Sequence, residues 1–302
     1  MYLSIDPAMR GWIDDKRSYL PPVQLGEIMR GYGLGLVEVS KSILFPKGSY
    51  ALAKTGWTGI VKLPETDLEK VDRRITSNLT DWLDTLGFTG MTAYFGITEI
   101  GKVREGDLVV VTGAAGATGL LAGQIAKIKG ATVIGIAGSD EKCSWLITDM
   151  GFDDALNYKA EDFEEKLKAA THSLIDVFYD NVGGEILDMA LERAKPHARF
   201  VMCGAVSQHN EHTYGLKNYL MITRMRITMQ GFIIFDYSQR FPEAREQLSK
   251  WLAEGLIKRR QTVIKGGISQ AEKALLGLYE GLNTGKLLIE VSEDQSGSAG
   301  AD

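Results

Sequence analysis

From Asp107 onwards short apolar runs alternate with amphipathic stretches. Leu108 to Val111 reads as a strand, Thr118 to Lys129 as a helix, Thr132 to Ala137 as a strand, and Asp140 to Met150 as a helix ending at Gly151. The series continues through a strand over Ala155 to Tyr158, a helix over Asp162 to Ala170, and a strand over Asp176 to Tyr179. A helix over Glu185 to Ala194 and a strand over Arg199 to Cys203 follow. Val109-Val110-Val111 and Phe200-Val201-Met202 are apolar on both faces, as strands buried in a parallel sheet require. Repeated βα units with connections of about 2–6 residues predict an α/β fold built on a doubly wound parallel sheet.

The first 89 or so residues have a different texture, with short, Gly-rich, irregular segments and candidate strands around Val37, Val39, Ile60 and Val61. They predict a smaller β-rich domain. Beyond a strand near Ile227 to Ile234 and a helix over Pro242 to Glu254 come Thr262 to Ile264, a helix over Gln270 to Leu282, and a last strand over Lys286 to Val291. That last segment is placed back on the first domain, giving residues 1–95 with 258–302 as one domain and 96–257 as the other. Tyr2, Leu3 and Ile5 alternate as in a strand running into Asp6-Pro7. A strand so close to the start is expected to follow further strands upstream of Met1. The small, polar stretch Glu293 to Asp302 reads as a disordered tail.

Charge and composition narrow the partners. The 34 Lys+Arg against 39 Asp+Glu leave a net charge of −5, with no basic field for nucleic acid and no polybasic stripe for a membrane surface. No apolar run reaches the length of a membrane-spanning helix. A small-molecule ligand is the expectation. Two Cys in 302 residues do not make a disulfide framework and point to a reducing, cytoplasmic setting. Cys143, Cys203, His172, His197, His209 and His212 all lie beyond residue 142, so no metal site of Cys and His is available before it.

The most informative stretch runs from Asp107 to Lys127 and holds Gly113, Ala114, Gly116 and Gly119 where a buried strand turns into a helix. Gly116 leaves room for a pyrophosphate, Gly119 lets helix and strand pack closely, and the helix start supplies unpaired N–H groups and a positive dipole end. A Gly/Ala-rich turn without a nucleotide has the same spacing, but its place at the head of a βαβ series favours a dinucleotide. The second strand ends Ile136-Ala-Gly-Ser139 without the acid that would hold a ribose 2′-hydroxyl. Lys142, assisted by the Ser139 hydroxyl, suits a 2′-phosphate, which favours NADP(H); Asp140 and Glu141 beside it keep NAD(H) open.

A nicotinamide enzyme must also polarise its acceptor. Zinc-dependent alcohol dehydrogenases use Cys and His ligands, which the first domain lacks. Short-chain dehydrogenases use a Tyr-x-x-x-Lys pair downstream of the glycine turn, whereas the match here, Tyr50 to Lys54, lies upstream. Hydride addition to a carbon–carbon double bond conjugated to a carbonyl asks for less, because the developing enolate charge can be held by hydrogen-bond donors.

At this point the residues resemble a known group. Tyr2 to Gly11, Gly87 to Gly96, Gly113 to Gly119, Ala137 to Lys142, Asn157-Tyr-Lys159, Phe178 to Gly184, Cys203-Gly-Ala205, Met229 to Tyr237 and Asn283-Thr-Gly-Lys286 are similar to zinc-independent medium-chain dehydrogenase/reductases. Within them the likeness is to prostaglandin reductase (leukotriene B4 12-hydroxydehydrogenase) and the alkenal double-bond reductases. The resemblance implies a Rossmann domain beside a GroES-like domain shortened at its start, NADP(H) as cofactor, an enal or enone as substrate, and a homodimer. It implies that Gly116, Ala117, Thr118 and Gly119 face the pyrophosphate, that Lys142 and Tyr158 take the 2′-phosphate, and that Asn181 and Asn283 touch the cofactor. Cys203, Gly204, Ala205, Val206 and Ser207, with Phe232, Ile233 and Ile234, would line the nicotinamide. Tyr32 and Tyr237 match positions lining the substrate pocket and are the candidates for catalysis. Ala8 and Phe235 stand where relatives carry Tyr, and residues 41–80 lack the family's usual strands in recognisable form. Quinone reduction, or cofactor binding with little catalysis, are the competing expectations.

Overall fold

The computed structural model describes residues 1–208 and 213–292; the expected disordered tail, His209 and His212 lie outside the described residues. The chain forms two compact units, one of Met1–Asp84 with Gln261–Asp302, the other of Thr85–Arg260.

The first unit opens with β1 (Tyr2–Ile5), followed by the short α1 (Ala8–Gly11), β2 (Gly33–Leu36), β3 (Tyr50–Ala53) and β4 (Leu68–Lys70). β1 to β4 pair antiparallel in sequence. The strands fall around Tyr50 and Leu68 rather than at the expected Val39, Ile60 and Val61, which are not in strands. Val39 and Ile60 are 91% and 82% exposed. Apolar residue type alone misplaced them, whereas Tyr50 to Ala53 is buried throughout.

In the second unit α2 (Phe88–Phe95) leads through a π-helical turn to β5 (Leu108–Thr112), α3 (Ala117–Ile128), β6 (Thr132–Ala137), α4 (Asp140–Thr148), β7 (Asp154–Asn157), α5 (Phe163–Ala170) and β8 (Ile175–Asp180). Then come α6 (Gly184–Glu192), β9 (Ala194–Met202), α7 (Leu220–Met225), β10 (Thr228–Gly231) and α8 (Phe241–Ala253). α2 was expected with residues 1–95 but belongs here, because it packs on α3 and α8 and the Arg245 Nε donates to the Leu86 carbonyl at 3.0 Å. The sheet runs β10-β9-β8-β5-β6-β7 with every pairing parallel. Val109, Val110 and Val111 have no exposed surface, as the doubly apolar run requires. One core face gathers Val110, Ile134, Phe178, Leu191 and Phe200.

The chain returns to the first unit through β11 (Gln261–Ile264), α9 (Ala271–Tyr279) and β12 (Lys286–Glu290). β12 joins the sheet next to β1, giving the mixed order β11-β12-β1-β2-β3-β4. Leu3, Ile5 and Met9 pack there with Ala271, Leu275, Leu287 and Ile289. Beside this apolar layer lies a buried polar cluster. The Lys286 ammonium, 2% exposed, is paired with Asp6. Asp84, 3% exposed, accepts from the Gln261 Nε2 at 3.1 Å.

Candidate active site

In the second unit β5 lies between β6 and β8, so the chain leaves the carboxyl ends of β5 and β8 in a crevice at the topological switch point. The turn after β5 starts with Gly113 at φ +59° and closes with a Gly116 N–H bond to the Gly113 carbonyl at 2.9 Å. Gly116 is the N-cap of α3, with neither a side-chain cap nor an acid in the first turn. The N–H groups of Ala117, Thr118 and Gly119 therefore sit at a helix end whose dipole favours an anion. Gly119 cannot be enlarged: a Cβ there would lie 2.3 Å from the Gly113 carbonyl oxygen. The turn's shape depends on that contact, and its residues fit a pyrophosphate.

The turn after β8 is locked to it. Asp180 is fully buried and accepts from the Thr112 hydroxyl at 2.8 Å and from the Val182 and Gly183 N–H groups at 3.0 Å. Burial holds its carboxyl above the usual carboxylate range, with those bonds acting the other way. The Asn181 side-chain N–H donates to the Thr112 carbonyl at 2.7 Å, and its backbone N–H donates to the Thr112 hydroxyl at 2.8 Å. The loop after β9 docks on the same residues. The Cys203 and Gly204 N–H groups bond to the Asp180 carbonyl, Val206 N–H to Asn181, and the Ser207 hydroxyl to Val182 at 2.7 Å. Gly116 to Gly119, Asn181 and the Cys203-Gly204-Ala205-Val206-Ser207 loop thus meet through β5, β8 and β9. Burial raises the Cys203 thiol to about 11, with a hydrogen bond from Tyr179 acting the other way, so it is no nucleophile at neutral pH.

At the end of β6 the Ser139 oxygen caps α4, accepting the Lys142 N–H at 3.2 Å; its own proton can still be donated. The Tyr158 ring lies against Gly138, where a Cβ would come within 3.2 Å of it. At 46% exposure Tyr158 is not a core residue. The Lys142 ammonium is pushed down by burial and by Lys159, against the pull of Glu141.

After β10 the segment Phe232-Ile233-Ile234 leads into a 3₁₀ turn over Ile234–Arg240 that presents Tyr237. The Tyr237 ring stacks on Phe95 at 4.5 Å between centroids and meets Phe232 edge-on at 6.4 Å. Arg240 lies 5.2 Å from the centroid of the Phe95 ring and holds Glu99 on one side and Glu243 on the other, at 3.0 and 2.8 Å. Partial burial, then Glu99 and Asp236, raise the Tyr237 phenol against the pull of Arg240. It stays protonated at neutral pH and is a hydrogen-bond donor.

Residues 117–250 match the family model described as zinc-binding dehydrogenase, and residues 1–71 the one described as N-terminal domain of oxidoreductase. An NADPH-dependent curcumin reductase of Escherichia coli is 38% identical over 97% of this chain and 87% of its own length. A NADP(+)-dependent 2-alkenal reductase of Nicotiana tabacum is 37% identical over 97% and 86%. The chain belongs to the medium-chain dehydrogenase/reductase family. The crystal structure of CurA from Vibrio vulnificus in complex with NADPH is 37% identical and covers 97% of this chain and 88% of its own, with a TM-score of 0.87.

Two candidate residues of this medium-chain dehydrogenase/reductase lie in the first unit. Tyr32 sits between Gly31 and Gly33, whose missing side chains leave room for Trp57 and Thr55. Burial, followed by the Glu69 carboxylate, raises its phenol to about 12. Asn283 lies in the turn before β12 and donates to the Gly285 carbonyl at 2.6 Å. Sequence reasoning missed Asp180 and Arg240. The signal for Asp180 is an acid closing the apolar strand Ile175 to Asp180 next to Val-Gly-Gly; for Arg240 it is the Arg-x-x-Glu243 spacing after an aromatic-rich loop.

Proposed function

We propose that this chain is an NADPH-dependent reductase of the carbon–carbon double bond in α,β-unsaturated aldehydes or ketones. The observation that carries this reading is the crevice at the switch point, where the uncapped α3 and the braced turns after β8 and β9 converge. The names of the curcumin and 2-alkenal reductases, each more than a third identical over nearly the whole chain, support the substrate class. When bound, NADPH supplies the hydride that goes to the β-carbon of the substrate.

The chain's own groups do the rest. The α3 N–H groups hold the pyrophosphate, Lys142 with Ser139 and Tyr158 holds the 2′-phosphate, and Asn181 and the 203–207 loop orient the nicotinamide end. Phe232, Ile233 and Ile234 exclude water on one side. Tyr237, protonated at neutral pH, donates a hydrogen bond to the carbonyl oxygen as enolate charge develops there; Tyr32 is the second candidate donor, and Asn283 a further cofactor contact. In this reading the enzyme works without zinc, in a reducing cytoplasm, as a homodimer. For the last, the edge strand β10 supports the assignment: among the described residues it pairs only with β9, and Thr228, Gln230 and Gly231 are exposed.

The test is stopped-flow oxidation of NADPH with a simple enone, a quinone and a saturated ketone. Enone-dependent oxidation is expected, with the saturated ketone inert. Tight NADPH binding with no oxidation by any enone would refute the reductase reading, and oxidation by the quinone alone would move it to quinone reduction.

A further inference from the structure

Lys159 is exposed, and among the described residues its ammonium makes no ion pair. It lies 5.8 Å from the centroid of the Tyr158 ring, within cation–π range. Its main chain is held in place, because the Lys159 N–H donates to the Asn157 side-chain oxygen at 3.0 Å. The Asn157 side-chain N–H in turn donates to Asp140 at 2.8 Å. That chain of bonds ties the end of β7 to the first turn of α4, where Lys142 stands next to the Ser139 cap. Lys142 from α4 and Lys159 from the turn after β7 are thereby brought to the same end of the sheet, where the Tyr158 ring lies against Gly138, and they are near enough for the charge of one to act on the other. The carboxylates nearby are committed or offset: Asp140 accepts from Asn157, and Glu141 attracts Lys142 without reversing the net push on its ammonium.

Two like charges held together by rigid backbone are unfavourable until an anion lies between them. A phosphate dianion relieves the repulsion and accepts from both ammonium groups at once. We infer that Lys159 is a second cationic ligand for the 2′-phosphate, acting with Lys142, and that it sets the preference for a phosphorylated over an unphosphorylated adenosine ribose. This rests on the NADPH reading above and adds a residue to it.

The test uses ligands without a nicotinamide, so that no turnover enters. Affinities of the intact protein for adenosine 2′,5′-bisphosphate and adenosine 5′-monophosphate are measured by calorimetry for wild type, Lys159→Gln, Lys159→Arg and Lys142→Gln. Lys159→Gln is expected to weaken the bisphosphate roughly five- to tenfold while changing the monophosphate less than about twofold. It should also lower the salt dependence of bisphosphate binding, and Lys159→Arg should restore most of the loss. An equal change on both ligands, or none on the bisphosphate, overturns the role of Lys159 while leaving NADPH binding intact. If wild type itself binds the bisphosphate no better than the monophosphate, the NADPH reading fails and takes this inference with it. Lys159 is exposed, so an unchanged melting temperature is the expected control.

Discussion

Asp84 gives the first unit a pH-dependent stability that a single substitution should remove. Its carboxyl is 3% exposed and is raised from 3.8 to about 7, chiefly by burial, with Asp81 and Asp6 adding to the push. The Gln261 bond and the Lys286 ammonium act the other way. Lys286 is already neutralised by Asp6, so an ionised Asp84 adds an unmatched charge to a buried site. Because the folded state holds this proton more tightly than the unfolded chain, the contribution to stability is fully present below about pH 4. It is lost as pH rises through about 7. Moving a carboxyl from 3.8 to about 7 costs on the order of 4 kcal/mol above that range, of which roughly 3 kcal/mol falls between pH 5 and pH 8. Asp84→Asn keeps an acceptor for the Gln261 Nε2 and removes the charge. Thermal melts of both proteins from pH 5 to pH 8 should show the variant gaining on wild type by on the order of 5–10 °C across that interval. A variant that tracks wild type at every pH, or falls further behind it at pH 8, would refute the reasoning.

Three further outcomes concern the second unit. Tyr237→Phe should lower turnover with an enone on the order of 10²–10³-fold with NADPH affinity unchanged, and a rate within twofold of wild type would take Tyr237 out of the chemistry. Gly119→Ala places a Cβ 2.3 Å from the Gly113 carbonyl oxygen, so the phosphate turn must shift. NADPH affinity, followed by fluorescence titration, should fall at least about tenfold. Arg240→Gln frees the turn that carries Tyr237 and should lower turnover by roughly tenfold with the melting temperature little changed, because its ion pairs are half exposed. Arg240→Lys should recover part of the turnover, and equal rates for all three proteins would show that Tyr237 is placed without it.

The parallel sheet was legible because burial on both faces leaves a signature that survives without context. Val109-Val110-Val111 is apolar with no polar alternation, and it lies at the centre of the sheet between β6 and β8. The first unit lacks such a signature. Its strands are three to five residues long, one is Gly-Leu-Gly-Leu, and Val39, Ile60 and Val61 are apolar residues left in solvent. The boundary near Asp84 was hidden for a related reason. α2 is nearly as apolar as a strand, and only its packing against α3 and α8 assigns it to the second unit.

The candidate site divides along the same physical line. Glycine spacing is visible in one dimension because it records what must be absent: no Cβ fits at Gly119, and the empty space is the information. Residues that act by holding others are invisible there, because their role lies in a partner far along the chain. Asp180 matters through Thr112, 68 positions away, and Arg240 through Glu99, 141 positions away. Neither pairing has a periodicity to betray it. Asp180 closes β8, and its fully buried carboxyl is tolerable only because two backbone N–H groups and a hydroxyl converge on it. The same convergence fixes the turn that presents Asn181, so a carboxyl that is costly to bury in this crevice also shapes it.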